Sequence, residues 1–187
     1  MSNQRYLDEL ARDIVSNDVC HELRQGATQL VMGSGNPNAA IVIIGEAPGK
    51  QEDAQGEPFV GASGKLLNEL LESIGCNRGD VYITNIVKYR PPNNRDPSKL
   101  EKAEFWPYLV RQLEIINPNV IITLGRHSSL SFIPELVISR DHGSPTPVRI
   151  DTSDYTVVPL YHPAAALYNG SLRQTLFDDF TVVKQYL

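Results

Sequence analysis

Apolar positions along the chain switch repeatedly between two periods. Leu7, Leu10, Ala11, Ile14 and Val15 recur at helical spacing within residues 5–16. Past the turn-forming Gly33, Gly35, Asn36 and Pro37, the run Ala39-Ala40-Ile41-Val42-Ile43-Ile44 is continuous, rich in β-branched residues and cut off at Gly45. Such a run predicts a strand buried on both faces of a parallel sheet. Leu66, Leu67, Leu70, Leu71 and Ile74 predict a helix over 65–74, and Val81–Val87 a second strand. A long amphipathic helix follows over 100–116, stopping before Asn117-Pro118. Val120–Leu124, closed by Gly125, is a third strand, with a helix expected over 127–133. Tyr155–Tyr161 is the last strand, ending at His162-Pro163, and 171–186 returns to helix. The glycine-rich Gly45–Gly64 and the proline-bounded Pro91–Pro97 are expected loops.

This alternation predicts a single α/β domain over residues 1–187, layered on a mainly parallel sheet. Ligands of such sheets bind beyond the carboxyl ends of the strands. The segments following Ile44, Ile83, Leu124 and Leu160 share that edge, so four strand ends are expected to meet at one crevice.

Composition narrows the picture in a few places. With 17 basic and 22 acidic residues, the formal charge of −5 leans slightly against a nucleic-acid partner, although a local basic groove is compatible with it. No apolar stretch is long enough to span a membrane. The polar, partly acidic start lacks a signal core, so secretion is not expected. Cys20 and Cys76 make no disulfide framework and suit a reducing compartment.

The loop Gly45-Glu46-Ala47-Pro48-Gly49-Lys50-Gln51-Glu52-Asp53 directly follows the first strand. Its glycines allow a ligand to approach the backbone, and its carboxylates can orient water or meet a base edge. It matches neither a dinucleotide fingerprint nor a phosphate loop, and a solvated turn is the plain alternative. Phe59 stands alone in a glycine frame, either as core or as a stacking platform for a base. Asn85 lies inside a strand, where asparagine is disfavoured, and is either a structural cap or a ligand reader. Lys88, Arg90 and Arg95 around Tyr89 form the clearest basic patch, either a phosphate-contacting edge or an ordinary solvated loop. His162 closes the last strand facing the crevice. His21, His127 and His142 show no metal-ligand spacing, and no nucleophile elbow is present.

Taken together, these segments resemble the family 4 (thermostable-type) uracil-DNA glycosylases. The matching stretches are Gly45–Gly49 with Glu52-Asp53, Gly56–Gly61, Tyr82–Lys88, Arg90–Pro97, Thr123–Arg126 and His162–Asn169, in the family's order and across roughly residues 17–180. The resemblance implies a three-layer α/β/α sandwich around a central four-stranded parallel sheet. It implies that Glu46 and Glu52 shape the pocket and help hold the attacking water. Gly45 and Ala47 would border the base, with Ala47 standing where other glycosylase families carry an aspartate. Phe59 would stack on flipped uracil, Asn85 would read its polar edge, and His162 would donate to O2 of the leaving base. Lys88, Arg90, Arg95 and Arg126 are expected along the DNA backbone, while Ala165 and Leu167 of the 164–169 loop press into the duplex.

The implied partner is uracil-containing DNA, single- or double-stranded, met by a monomer in a prokaryotic cytoplasm during base excision repair. No lysine nucleophile is evident in the crevice, so hydrolysis without strand cleavage is expected. The alternatives are a catalytically weak uracil- or DNA-binding relative, a glycosylase for another deaminated base, and a relative that traps its DNA covalently. Trapping relatives carry an extra basic, histidine-containing loop that is not seen near His162. One departure is sharp. The family ligates a [4Fe–4S] cluster through four cysteines, but the corresponding positions here read Asn17, Cys20, Tyr89 and Phe105. One thiolate cannot hold such a cluster. No cofactor is therefore expected, with Tyr89 and Phe105 filling the volume by aromatic packing.

Overall fold

In a computed structural model, which describes residues 2–187, the chain forms helices on both faces of one twisted sheet. The strands are β1 (Ser34–Gly35), β2 (Ile41–Gly45), β3 (Tyr82–Asn85), β4 (Val120–Leu124), β5 (Thr146–Ile150) and β6 (Ser153–Leu160). Their order is β1-β3-β2-β4-β6-β5. The four central strands are mutually parallel, as the apolar runs predict, and β1 and β5 add antiparallel edges to make six. Neither edge strand shows a continuous apolar run. β1 is two residues long, and β5 alternates in burial and contains Pro147, which suits an edge.

Strand pleating sends alternate side chains into two cores. Val42, Ile44, Ile121 and Val157 pack with Leu7, Ile14, Leu23, Phe105, Leu109 and Leu113, from α1 (Asn3–Ser16), α2 (His21–Gly26) and α5 (Lys99–Ile116). Ile41, Ile43, Ile122 and Val158 pack with Leu66, Leu67, Leu70, Leu176 and Phe180 on the other face. Those partners come from α4 (Ala62–Ser73) and α9 (Gly170–Val183). This double burial is why the strands read as unbroken apolar runs rather than alternating ones.

The expected loop 45–64 contains a further helix, α3 (Lys50–Gln55), hidden from a periodicity reading by its shortness. It is bounded by Gly49 and by Gly56, whose φ of 76° ends the helix in the left-handed region. The helix expected over 127–133 is shorter, α6 (Arg126–Ser129), and passes into turns. Short helices α7 (Ile138–Asp141) and α8 (Pro163–Ala166) complete the set. The long helix α5 starts on a reciprocal cap, in which Ser98 Oγ accepts from Glu101 N and Glu101 Oε2 accepts from Ser98 N. Among the described residues, no helix is long and apolar enough to cross a membrane.

Chain order places β3 on one side of β2 and β4 on the other. The order in which the chain adds strands therefore reverses between β2 and β4, and a crevice opens at their carboxyl ends, where ligands of such sheets bind.

Candidate active site

A cleft of about 610 Å³ occupies that position, lined by residues from all four parallel strand ends. Behind two of its lining residues, Phe59 and Asn85, lies Gly45, the last residue of β2. An added Cβ there would fall 2.7 Å from the Phe59 ring and closer still to Asn85 Oδ1. Glycine is required by this close approach, not by its φ. Without a side chain at 45, the Phe59 ring and the Asn85 amide converge over the backbone.

Phe59 is buried and adopts a φ of 53°, a conformation that costs a non-glycine residue roughly 1–2 kcal/mol. Three neighbours hold it there. Glu52 Oε1 accepts from Val60 N (3.1 Å) and Gly61 N (3.2 Å), just after Phe59. Arg78 Nη2 donates to the Pro58 carbonyl (2.5 Å), just before it. Gly64 in α4 leaves room for the Phe59 carbonyl, which any side chain at that position would strike. Glu52 thus spends one oxygen on the Phe59 loop. Asp53 is committed elsewhere, binding Thr28 N and Oγ1 at 2.8 Å each, and does not line the cleft.

His162 stacks against Phe59, with ring centroids 5.7 Å apart and planes 28° from parallel. Its Nδ1 accepts from Ala164 N (3.1 Å) at the start of α8, which assigns the ring proton to Nε2. Burial pushes the imidazole pKa down to about 4, against the opposing charge of Glu52. The ring is neutral at physiological pH and offers one N–H donor. Gly125, at φ 89°, brings β4 against His162, where a Cβ would sit 3.0 Å from the histidine Cβ.

Glu46 lies opposite. Its Oε1 is buried and has no hydrogen-bond partner among the described residues. Lys102 Nζ stands 3.0 Å from that oxygen, an ion pair lacking hydrogen-bond alignment. His127 bridges the rim, with Nδ1 3.7 Å from Glu46 and Nε2 3.5 Å from Asp96. The donor atoms of Glu46, Asp96 and His127 lie within 4.8 Å of one another, and the Lys102 ammonium supplies positive charge beside them. Lys102, Asp96 and His127 were not expected at the site. They arrive from different elements, so no sequence spacing marks them.

The structure brings Gly45, Glu46, Ala47, Glu52, Phe59, Asn85 and His162 together, as the motifs predict. Arg95, Arg126 and Ala165 line the mouth. Arg95 is tied to Glu101 through two hydrogen bonds (2.9 and 2.6 Å), an interaction that holds the Glu101 carboxyl at about 2. Arg90 bonds Asn94, while Leu167 and the neighbouring Tyr168 project outward, Tyr168 at 93% exposure. Lys88 requires correction: it is fully buried, with Nζ bonded inside the protein, and does not reach a DNA backbone. The basic patch read around it loses its first member because the chain turns inward after β3. Tyr89 is likewise core.

The cluster positions do not fit an iron–sulfur centre. Tyr89 and Phe105 pack edge to face with centroids 5.9 Å apart, and both join Cys20 in one buried apolar cluster. Asn17 donates to the Tyr108 hydroxyl. The lone thiol, Cys20, is pushed up to about 12 by burial and by Glu104, far from the thiolate a metal needs.

An aromatic platform, a buried amide and a neutral imidazole donor, backed by a side-chain-free glycine, define a pocket for one flat heteroaromatic ring. The family model described as the uracil DNA glycosylase superfamily matches residues 32–183, and the chain belongs to that superfamily. Within it, the chain is similar to the type-4 uracil-DNA glycosylases. It is 50% identical to that of Archaeoglobus fulgidus, over 93% of this chain and 89% of the relative. With the Sulfurisphaera tokodaii enzyme it shares 43% identity over 96% and 84%, and with that of Thermotoga maritima 40% over 100% and 98%.

Proposed function

We propose that this chain is a monofunctional uracil-DNA glycosylase, which takes uracil out of the DNA stack and hydrolyses its bond to deoxyribose. The observation that carries the reading is the convergence of Phe59 and Asn85 on Gly45, with His162 stacked against Phe59. A flipped base is recognised by stacking and by hydrogen bonds to its polar edge. Phe59 offers the stacking face. The Asn85 amide, able both to donate and to accept, suits the O4 and N3–H edge of uracil. Cytosine presents the reverse pattern at those atoms, and thymine adds a methyl group.

Cleavage of the N1–C1′ bond leaves an electron-poor sugar and an anionic base, so donors aimed at O2 lower the barrier most. His162 Nε2–H is such a donor, and its neutrality lets it polarise O2 without surrendering its proton. One donor of this kind is worth roughly 3 kcal/mol. Water then bonds to C1′ and gives a proton to a carboxylate, for which Glu46 is the candidate, its buried Oε1 making no hydrogen bond among the described residues though it is ion-paired with Lys102. Glu52, bonded to the Phe59 loop, acts chiefly by positioning. The rim residues Arg90, Arg126, Ala165 and Leu167 are the proposed DNA contacts.

We read the chain as acting without an iron–sulfur cluster, as a monomer, in a prokaryotic cytoplasm. The donor set at residues 17, 20, 89 and 105 supports the first of these. Iron and sulfide analysis of protein purified without oxygen is expected to find neither, and about four irons per chain would refute it.

The activity is tested with a labelled single strand carrying one uracil, beside a thymine control. Alkali-labile abasic sites are expected from the uracil strand alone. No product at stoichiometric enzyme would refute the glycosylase reading, and product that stays attached to denatured protein would refute hydrolysis.

A further inference from the structure

Lys88 is a fully buried lysine, and the proposed reaction does not use it. Its Nζ donates to Thr84 Oγ1 (2.6 Å), to the Asn85 carbonyl (2.8 Å) and to Gln112 Oε1 (2.7 Å). Three acceptors match the three protons of an ammonium group. All three are neutral. Gln112, from α5, turns its Nε2 to the Met32 carbonyl and the Tyr82 hydroxyl, at 3.0 Å each, and Thr84 Oγ1 donates to Met32 O (2.8 Å). Among the described residues, Tyr82 is the titratable group bonded to this cage, and burial pushes its phenol up to about 12, so it carries no charge near neutrality. A buried ammonium without a counter-charge is unfavourable, and burial alone draws Lys88 down to about 7. An apolar side chain would fill this volume more cheaply.

What the ammonium holds is specific. The Asn85 carbonyl belongs to the same peptide unit as the Ile86 N–H, and that N–H donates to Gly45 O (2.9 Å). The peptide that follows Asn85 is thus fixed at its oxygen by Lys88 and at its hydrogen by the Gly45 carbonyl. Its plane sets where the Asn85 side chain leaves the backbone. The next residue continues the pairing, Val87 N to Glu46 O at 3.1 Å, and extends the same lattice to the backbone of Glu46.

We infer that Lys88 is a positioning residue for base recognition: its three-acceptor cage with Thr84 and Gln112 orients the Asn85 peptide so that the carboxamide stands against Gly45 in the cleft. This rests on Asn85 being the base reader.

The test is a double-mutant cycle measured by single-turnover release of uracil from a single-stranded oligonucleotide. Lys88→Met keeps length and volume but removes every donor. It is expected to slow release at least tenfold, yet to change the rate less than twofold when Asn85 is already alanine. An equal loss in both backgrounds would show a general structural role and overturn the inference, as would a wild-type rate in Lys88→Met. Gln112→Met, which deletes one acceptor and leaves Lys88 in place, must show the same dependence on Asn85. It decides the question if Lys88→Met does not fold. Absence of uracil release by the wild-type chain would instead overturn the glycosylase reading, a result distinct from any of these.

Discussion

Replacing Gly45 by alanine drives a methyl group into the point where the Phe59 ring and the Asn85 amide meet. The new carbon would lie 2.7 Å from Phe59 Cζ and 2.8 Å from Cε2, so the ring must retreat by about 0.7 Å to reach ordinary contact near 3.4 Å. Asn85 Oδ1 must move further. Neither has an easy path. The Phe59 backbone is pinned on both sides by Arg78 and Glu52, and the Asn85 peptide is bonded to Gly45 O and Lys88. Overpacking of a rigid site costs about 1–3 kcal/mol of stability. Misplacing groups by up to 1 Å costs up to about 100-fold in rate. Single-turnover uracil release and thermal melting, measured together, separate the two. The expected outcome is a folded protein with a modestly lower Tm and a rate reduced by about 30–100-fold. A rate within threefold of wild type, in a protein of unchanged Tm, would refute the claim that Gly45 makes room for the Phe59 ring and the Asn85 amide.

His162→Ala is expected to lower single-turnover release by about 100-fold, from loss of one donor worth roughly 3 kcal/mol. In the wild type, protonation of His162 should cause no change of activity as pH falls through 6.5, because burial holds this histidine near 4. The same depression bears on stability. The unfolded chain protonates its histidine near 6.5 and the fold resists protonation until about 4, so the contribution is complete above 6.5 and fades as pH falls toward 4. Its upper bound is roughly 3 kcal/mol, and the Tm gap between wild type and His162→Ala should shrink across that window. Arg78→Ala frees the Pro58 carbonyl and the strained Phe59 φ, and should raise KM for a uracil strand several-fold while binding to thymine strands stays unchanged. Phe105→Ala, at a fully buried position, should cost about 3–5 kcal/mol in denaturant unfolding; a loss below 1 kcal/mol would contradict its place in the core.

The parallel sheet was legible because burial on both faces writes itself as uninterrupted β-branched runs, and β2, β4 and most of β6 carry that mark. β5 was not, since its outer face is wet and its pattern Thr-Pro-Val-Arg-Ile resembles loop. The pocket residues were legible from motif chemistry at strand ends, where Gly45, Asn85 and His162 stand next to breaks in apolar runs. Direction was harder. Lys88 sits among arginines in sequence, but it follows Asn85 by three residues and turns beneath it, so a basic patch on paper became an interior cage. Glu52 was recognised as a pocket residue, while its bonds to Val60 and Gly61 depend on a fold-back that linear spacing does not reveal. His127 and Lys102 meet Glu46 only through tertiary approach.

The pairing of cations at the cleft mouth has a consequence for how the protein grips DNA. Arg95 is neutralised by Glu101, Lys102 by Glu46, and Lys88 is inside. A protein releases one condensed counterion for roughly each phosphate it neutralises, and its affinity falls with salt in proportion. Arg126, in the cleft lining, and Arg90, bonded to Asn94 of that lining, carry no ion pair among the described residues, so few ions would be released there. The dependence of DNA affinity on salt should be shallow, with a log–log slope of about −2 rather than the far steeper values of proteins that clamp the backbone. Grip would then come from the base in its pocket, so ordinary DNA would be released quickly and search would continue by brief contacts instead of long electrostatic sliding.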